Sequence, residues 1–171
     1  MRKQYSSVVR PINDTTAEYV VSTVKHFYEG LVIIQYGIKN TMDDQVLTNV
    51  TLKVENFESE AGLAVKGVIP LAEGDEIKVA EIRFVYLLLD RTAASQPYPQ
   101  AKVKASLSMT IAEVDDTGDE VGSYEEDYDL AEVSVAIRDY IKADLVPTGQ
   151  FKDFWETIGS HERGCEVSQT Y

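Results

Sequence analysis

Three runs rich in Val, Ile, Tyr and Thr follow one another over residues 18–55, separated by residues 26–30 and 40–44. β-Branched and aromatic runs broken by Gly and Asn/Asp clusters predict consecutive strands joined by turns. In the middle run Val32, Ile34, Tyr36 and Ile38 share one face, and Leu31, Ile33, Gln35, Gly37 and Lys39 share the other. In the third run Val46, Val50, Leu52 and Val54 are expected to face a core, with Thr48 the one polar residue among them. Leu47, Asn49, Thr51 and Lys53 are expected to face away. Successive strands with one dry face each need a second layer, which predicts sheet packed on sheet.

The pattern continues downstream. Residues 63–70 predict a fourth strand, ended by Pro70 because its ring removes a ladder donor. Residues 77–90 predict a fifth, apolar on both faces toward its end and therefore expected inside its sheet. Over residues 102–111, Val103, Ala105, Leu107, Met109 and Ile111 alternate with Lys102, Lys104, Ser106, Ser108 and Thr110, the signature of a sheet with one wet face. Residues 115–129 read as a loop too acidic to pack, and Ala131, Val133, Val135 and Ile137 as a last strand. Residues 1–15, with Pro11 beside Asn13 and Asp14, read as an arm. The expectation is an all-β fold, an immunoglobulin-like antiparallel β-sandwich. Val32, Ile34, Tyr36, Ile38, Val50, Leu52, Leu107 and Met109 should be buried between its sheets.

The C-terminal segment departs from this period. Phe151, Phe154, Trp155 and Ile158 fall at i, i+3, i+4 and i+7, one stripe of a short helix stopped by Gly159. Two turns do not hold together alone, because nucleation is costly, so the stripe is expected to dock against the sandwich or a neighbouring copy.

Composition narrows the function classes. With 44% hydrophobic and 26% charged residues, the chain has the make-up of a folded globular protein. A net charge of −13 argues against nucleic acid and against an anionic membrane surface. The longest apolar runs fall far short of a membrane span, and the opening residues do not read as a signal peptide. A single cysteine, Cys165, allows no internal disulfide, which fits a reducing, cytoplasmic setting.

No constellation of catalytic type stands out. His26 and His161 lie at opposite ends of the chain, Cys165 sits in a polar tail, and no nucleophile elbow, zinc motif or glycine-rich phosphate loop occurs. The acidic run 115–120 lacks the spacing of a helix-loop-helix calcium site, and a solvated connection or a docking surface for a basic partner is the simpler expectation. No cofactor, no metal and no enzymatic activity are expected.

Two blocks carry a family resemblance. Glu18-Tyr19-Val20-Val21, then Val24-Lys25-His26-Phe27, then an apolar strand running into residues 39–45 and 47–51, resembles the start of the appendage (ear) domain of the gamma subunit of coatomer, the COPI vesicle coat. Residues 115–130 and 132–141 are similar to the end of that family's sandwich subdomain. The resemblance implies an N-terminal arm (1–15), a sandwich (16–141), and a linker with the start of a second subdomain, the platform (142–171). It also implies that the chain is a fragment or an unusually short relative. By resemblance, Trp155 with Phe151 and Phe154 would form the partner-binding surface, receiving accessory proteins such as Arf GTPase-activating proteins, in contact with other coatomer subunits and without direct membrane insertion. Spacing alone would let the same stripe pack on a core. The implied role is a non-catalytic interaction module of Golgi–endoplasmic reticulum traffic, cytoplasmic and peripheral on Golgi membranes and COPI-coated vesicles. The alternative from another class is an extracellular immunoglobulin-like module for adhesion or carbohydrate binding; an enzyme stands third.

Overall fold

The strand edges are set by where alternation stops. A computed structural model describes residues 3–14, 16–141, 148–150, 152–153 and 155–156. The strands are β1 (Lys3–Ser6), β2 (Arg10–Pro11), β3 (Tyr19–Tyr28), β4 (Leu31–Asn40), β5 (Gln45–Glu60), β6 (Ala64–Ile69), β7 (Ile82–Asp90), β8 (Gln100–Val114), β9 (Glu120–Asp129) and β10 (Val133–Val135). They form two antiparallel sheets. The first runs β1–β3–β4–β7–β6, with β2 continuing along β3 the edge that β1 opens; in the second, β8 has β5 on one side and β9 and β10 on the other. The chain divides into two units, Met1–Ile141 and Lys142–Tyr171. Both sheets belong to the first.

The all-β sandwich expected from the pattern is what the chain forms. All eight residues expected between the sheets are buried, six of them at 1% exposure or less. On β3 the alternation is unbroken, with Tyr19, Val21, Thr23, Lys25 and Phe27 inward. It carries the strand through Tyr28, so the turn into β4 is only Glu29-Gly30 rather than residues 26–30. β7 lies between β4 and β6, the interior position anticipated for it.

Four local expectations are corrected. Ahead of Asn49, β5 has the opposite facing from the one expected: Leu47 is fully buried, whereas Thr48 stands opposite Thr110 on the wet face. The cause is a bulge between Thr48 and Thr51, with Asn49 at φ +52°; one extra residue reverses the side-chain parity on either side of it. Asn tolerates the left-handed region better than other side chains.

The acidic stretch is not a loop. Residues 115–119 form a tight turn in which Asp115 Oδ1 accepts the N–H groups of Thr117 (2.9 Å) and Asp119 (3.0 Å), and Gly118 takes φ +85°. The next ten residues pair with β8 as β9. Glu125, Asp127 and Asp129 stand opposite Thr110, Ser108 and Ser106 on the wet face, so their charge remains in water. Tyr128, opposite Leu107, meets the Tyr19 ring edge-on at 5.7 Å and anchors the strand to the other sheet.

The N-terminal arm is likewise an edge strand, held by Ser7 N–H to Lys25 O (2.8 Å) and Ile12 N–H to Val21 O (2.9 Å). Finally, β10 ends at Val135. The chain turns into a 3-10 segment, Ile137–Tyr140, leaving Ile137 half exposed instead of inward. Asp139 causes the turn, its Oδ2 accepting the Ala136 N–H at 2.9 Å.

Candidate functional site

Of the three aromatic residues proposed as a partner surface, Phe151 and Phe154 lie outside the described residues, as do Ile158, Gly159, His161 and Cys165. Lys152, Asp153, Trp155 and Glu156 are helical, with Lys152 and Glu156 4.0 Å apart one turn away from each other. Trp155 is 64% exposed, so the indole presents a large apolar face.

Within the first unit several ionisable groups are engaged with strands and turns. His26, placed on β3, accepts or donates at Nδ1 to Ser6 Oγ (2.7 Å) and at Nε2 to Gln35 Oε1 (3.0 Å). Because the Gln35 oxygen can only accept, Nε2 carries the proton and Nδ1 receives the Ser6 hydroxyl. A serine beside a histidine resembles a nucleophile with its base. The third member is an amide, though, which cannot stabilise an imidazolium as a carboxylate does. Ser6 is also the cross-strand neighbour of His26, and a ladder pair is sufficient reason for the contact. Sequence reasoning missed it because the arm was not read as a strand.

Around the end of β10 an aromatic cluster fixes the chain. Phe27 and Tyr140 lie 4.6 Å apart, Tyr98 is 5.6 Å from Tyr140, and the Arg91 guanidinium sits 5.3 Å over the Tyr140 ring. Tyr140 donates to Pro99 O at 2.5 Å. Burial pushes its hydroxyl up to about 12, with Arg91 opposing and Asp139 adding to the rise. Beside this cluster Lys25 Nζ meets Asp139 Oδ2 at 2.6 Å, both side chains about nine-tenths buried or more.

Two further surfaces stand out. On the outer face of the first sheet, Ile69, Ile82 and Phe84 are each nearly half exposed. The Phe84 ring covers Gly37 on β4, where a Cβ would meet it at 3.1 Å, so its exposure has a packing reason. The acidic strand β9 has one ion pair toward its own sheet, Asp127 with Lys53 at 2.7 Å. That lysine and the Ser108 hydroxyl hold the Asp127 carboxyl below its usual range. Among the described residues no three His, Cys, Asp or Glu side chains come together as a metal cluster, and no described helix is long and apolar enough to cross a membrane.

The described residues thus define a sandwich of two antiparallel sheets whose polar groups tie strands, turns and edges together. The chain belongs to the coatomer gamma appendage family: the family described as Coatomer gamma subunit appendage platform subdomain matches residues 3–136. It is 30% identical to the probable coatomer subunit gamma of Caenorhabditis elegans over 96% of this chain and 18% of that protein. The corresponding figures are 29%, 90% and 16% for coatomer subunit gamma of Dictyostelium discoideum, and 26%, 86% and 16% for human coatomer subunit gamma-2. The chain therefore spans less than a fifth of the length of these relatives. The family description says platform, while the residues matched are those of both sheets.

Proposed function

We propose that this chain is a non-catalytic protein-interaction module of a vesicle coat, acting in Golgi–endoplasmic reticulum traffic as the appendage of a coatomer gamma subunit. The observation that carries this reading is the family match over 3–136, which coincides with the two packed sheets. The module is cytoplasmic and reaches membranes through the other coatomer subunits, since a charge of −13 is repelled by anionic lipid. In this reading residues 1–141 form the sandwich, the first of them as its edge strands, and 142–171 begin a second subdomain. Phe151, Phe154 and Trp155 make the partner contact, and Arf GTPase-activating proteins are the accessory class received there. The exposure of Trp155 supports this, as interface contacts are enriched in tryptophan.

The experiment is a complementation. The chain is fused to a coatomer gamma subunit lacking its own appendage, in cells depleted of the native subunit. Golgi recruitment and retrieval traffic should be restored, and Trp155→Ala should weaken capture of a purified Arf GTPase-activating protein by at least about tenfold. A fusion that assembles into coatomer yet restores no traffic overturns the coat reading. Capture unchanged by Trp155→Ala overturns the assignment of the contact.

A further inference from the structure

A cavity of about 200 Å³ opens at the seam where the N-terminal edge of the first sheet meets the β10 edge of the second. Arg10 on β2, Lys25 on β3 and Arg138 in the 3-10 turn converge on it, with Ser134 of β10 beside them. Their counter-charges at the lining are Glu132 and Asp139 alone. Three cations against two anions leave the recess at +1, in a chain of 16 basic and 29 acidic residues.

The pairing within the recess is incomplete. Lys25 gives one hydrogen bond to Asp139, and an ammonium has three N–H donors. Among the described residues neither Arg10 nor Arg138 makes an ion pair, and the Ser134 hydroxyl has no hydrogen bond. Two exposed arginines on the same recess, next to a nine-tenths-buried lysine, form a donor-rich cup fitted to an oxyanion.

We propose that this seam recess binds a single oxyanion, a carboxylate or phosphoryl group, carried by a partner peptide. The field of the whole chain selects the carrier. Screening confines electrostatics to about 8 Å at physiological salt, so one oxyanion in the cup feels mainly the five charges that line it, +1 in sum, rather than the field of the whole chain. A nucleic-acid backbone or an anionic bilayer would extend across the surrounding acidic surface and be repelled. A peptide suits the place because β2 and β10, the strands flanking the recess, are both sheet edges along which an extended chain can lie. The inference stands on the first unit alone; Trp155 and the coat reading take no part in it.

The test is a titration of the full ¹⁵N-labelled chain with capped pentapeptides Ala-Ala-X-Ala-Ala, where X is phosphoserine, glutamate or alanine, and separately with inorganic phosphate. Either anionic peptide should shift the Arg10 and Arg138 side-chain N–H signals and the Ser134 amide, and the alanine peptide should not. Replacing both Arg10→Ala and Arg138→Ala should weaken that binding at least about tenfold, since a hydrogen bond to a charged group contributes on that scale. The change must come with an unaltered melting temperature. Lys39→Ala with Lys102→Ala, which removes two lysines outside the recess, should leave the affinity unchanged. The proposal is overturned if no anionic peptide binds at ten millimolar, if inorganic phosphate binds while neither peptide does, or if the double arginine variant binds as tightly as the parent.

Discussion

Lys25 and Asp139, 114 positions apart in the chain, meet at 2.6 Å and join the third strand of one sheet to the turn that ends the last strand of the other. Burying two charges costs desolvation that their attraction only just offsets, so the pair is a poor source of net stability but a severe loss when halved. Asp139→Ala should destabilise by about 3 to 5 kcal/mol in urea unfolding, because it strands a buried ammonium and frees the Ala136 N–H as well. Lys25→Met combined with Asp139→Leu should recover most of that loss. A single-variant cost under about 1 kcal/mol would show that the ammonium reaches water without its partner.

Asn49 decides which face of β5 is inward ahead of the bulge. At φ +52° a β-branched side chain is strained, so Asn49→Val should cost about 1 to 3 kcal/mol, while Asn49→Gly should be nearly neutral. Both follow from urea midpoints. Equal stability of the two variants would mean that the strand can realign without the bulge.

Much of the sandwich was legible in the sequence because a period of two is read directly from Val32, Ile34, Tyr36 and Ile38, or from Val103 through Ile111. The bulge was not, since strict alternation is blind to an inserted residue; Asn49 within an apolar run was the available hint. β9 was missed because its five carboxylates outweighed two tyrosines at strand spacing, Tyr124 and Tyr128. An edge strand tolerates such charge when one face and one edge remain wet. The seam recess was invisible for a different reason: Arg10, Lys25 and Arg138 are brought together only by the docking of the two sheets. No local pattern encodes that.

Stability should fall on the alkaline side, from about pH 10 upward. A tyrosine in the unfolded chain loses its proton near 10, whereas burial raises Tyr140 to about 12 and also raises Tyr19 and Tyr36. Between those values the folded state holds protons that the unfolded state has released, so unfolding becomes more favourable as pH rises. The stabilisation is complete below about pH 10 and is lost through the folded values. Melting curves from pH 8 to 11.5 should show this decline. Tyr140→Phe, which keeps the ring against Phe27, should make it shallower; an unchanged slope would place the titration elsewhere.

Tyr36 offers the opposite kind of test, a substitution expected to stabilise. Its side chain is 1% exposed between the sheets, and among the described residues its hydroxyl is the buried side-chain polar atom left without a hydrogen-bond partner. A hydroxyl taken out of water with nothing to bond costs about 1 to 3 kcal/mol, while its ring contributes the usual apolar burial. Tyr36→Phe removes the oxygen and keeps the ring, and the small gap it leaves costs less than the orphaned group. A gain of about 1 kcal/mol is expected, a rise of roughly 2 to 4 °C in melting temperature for a domain of this size. The alkaline decline should become shallower too, because burial alone drives the upward shift of this tyrosine. A loss of about 1 kcal/mol instead would mean that the hydroxyl has a partner, with a buried water between the sheets the first place to look.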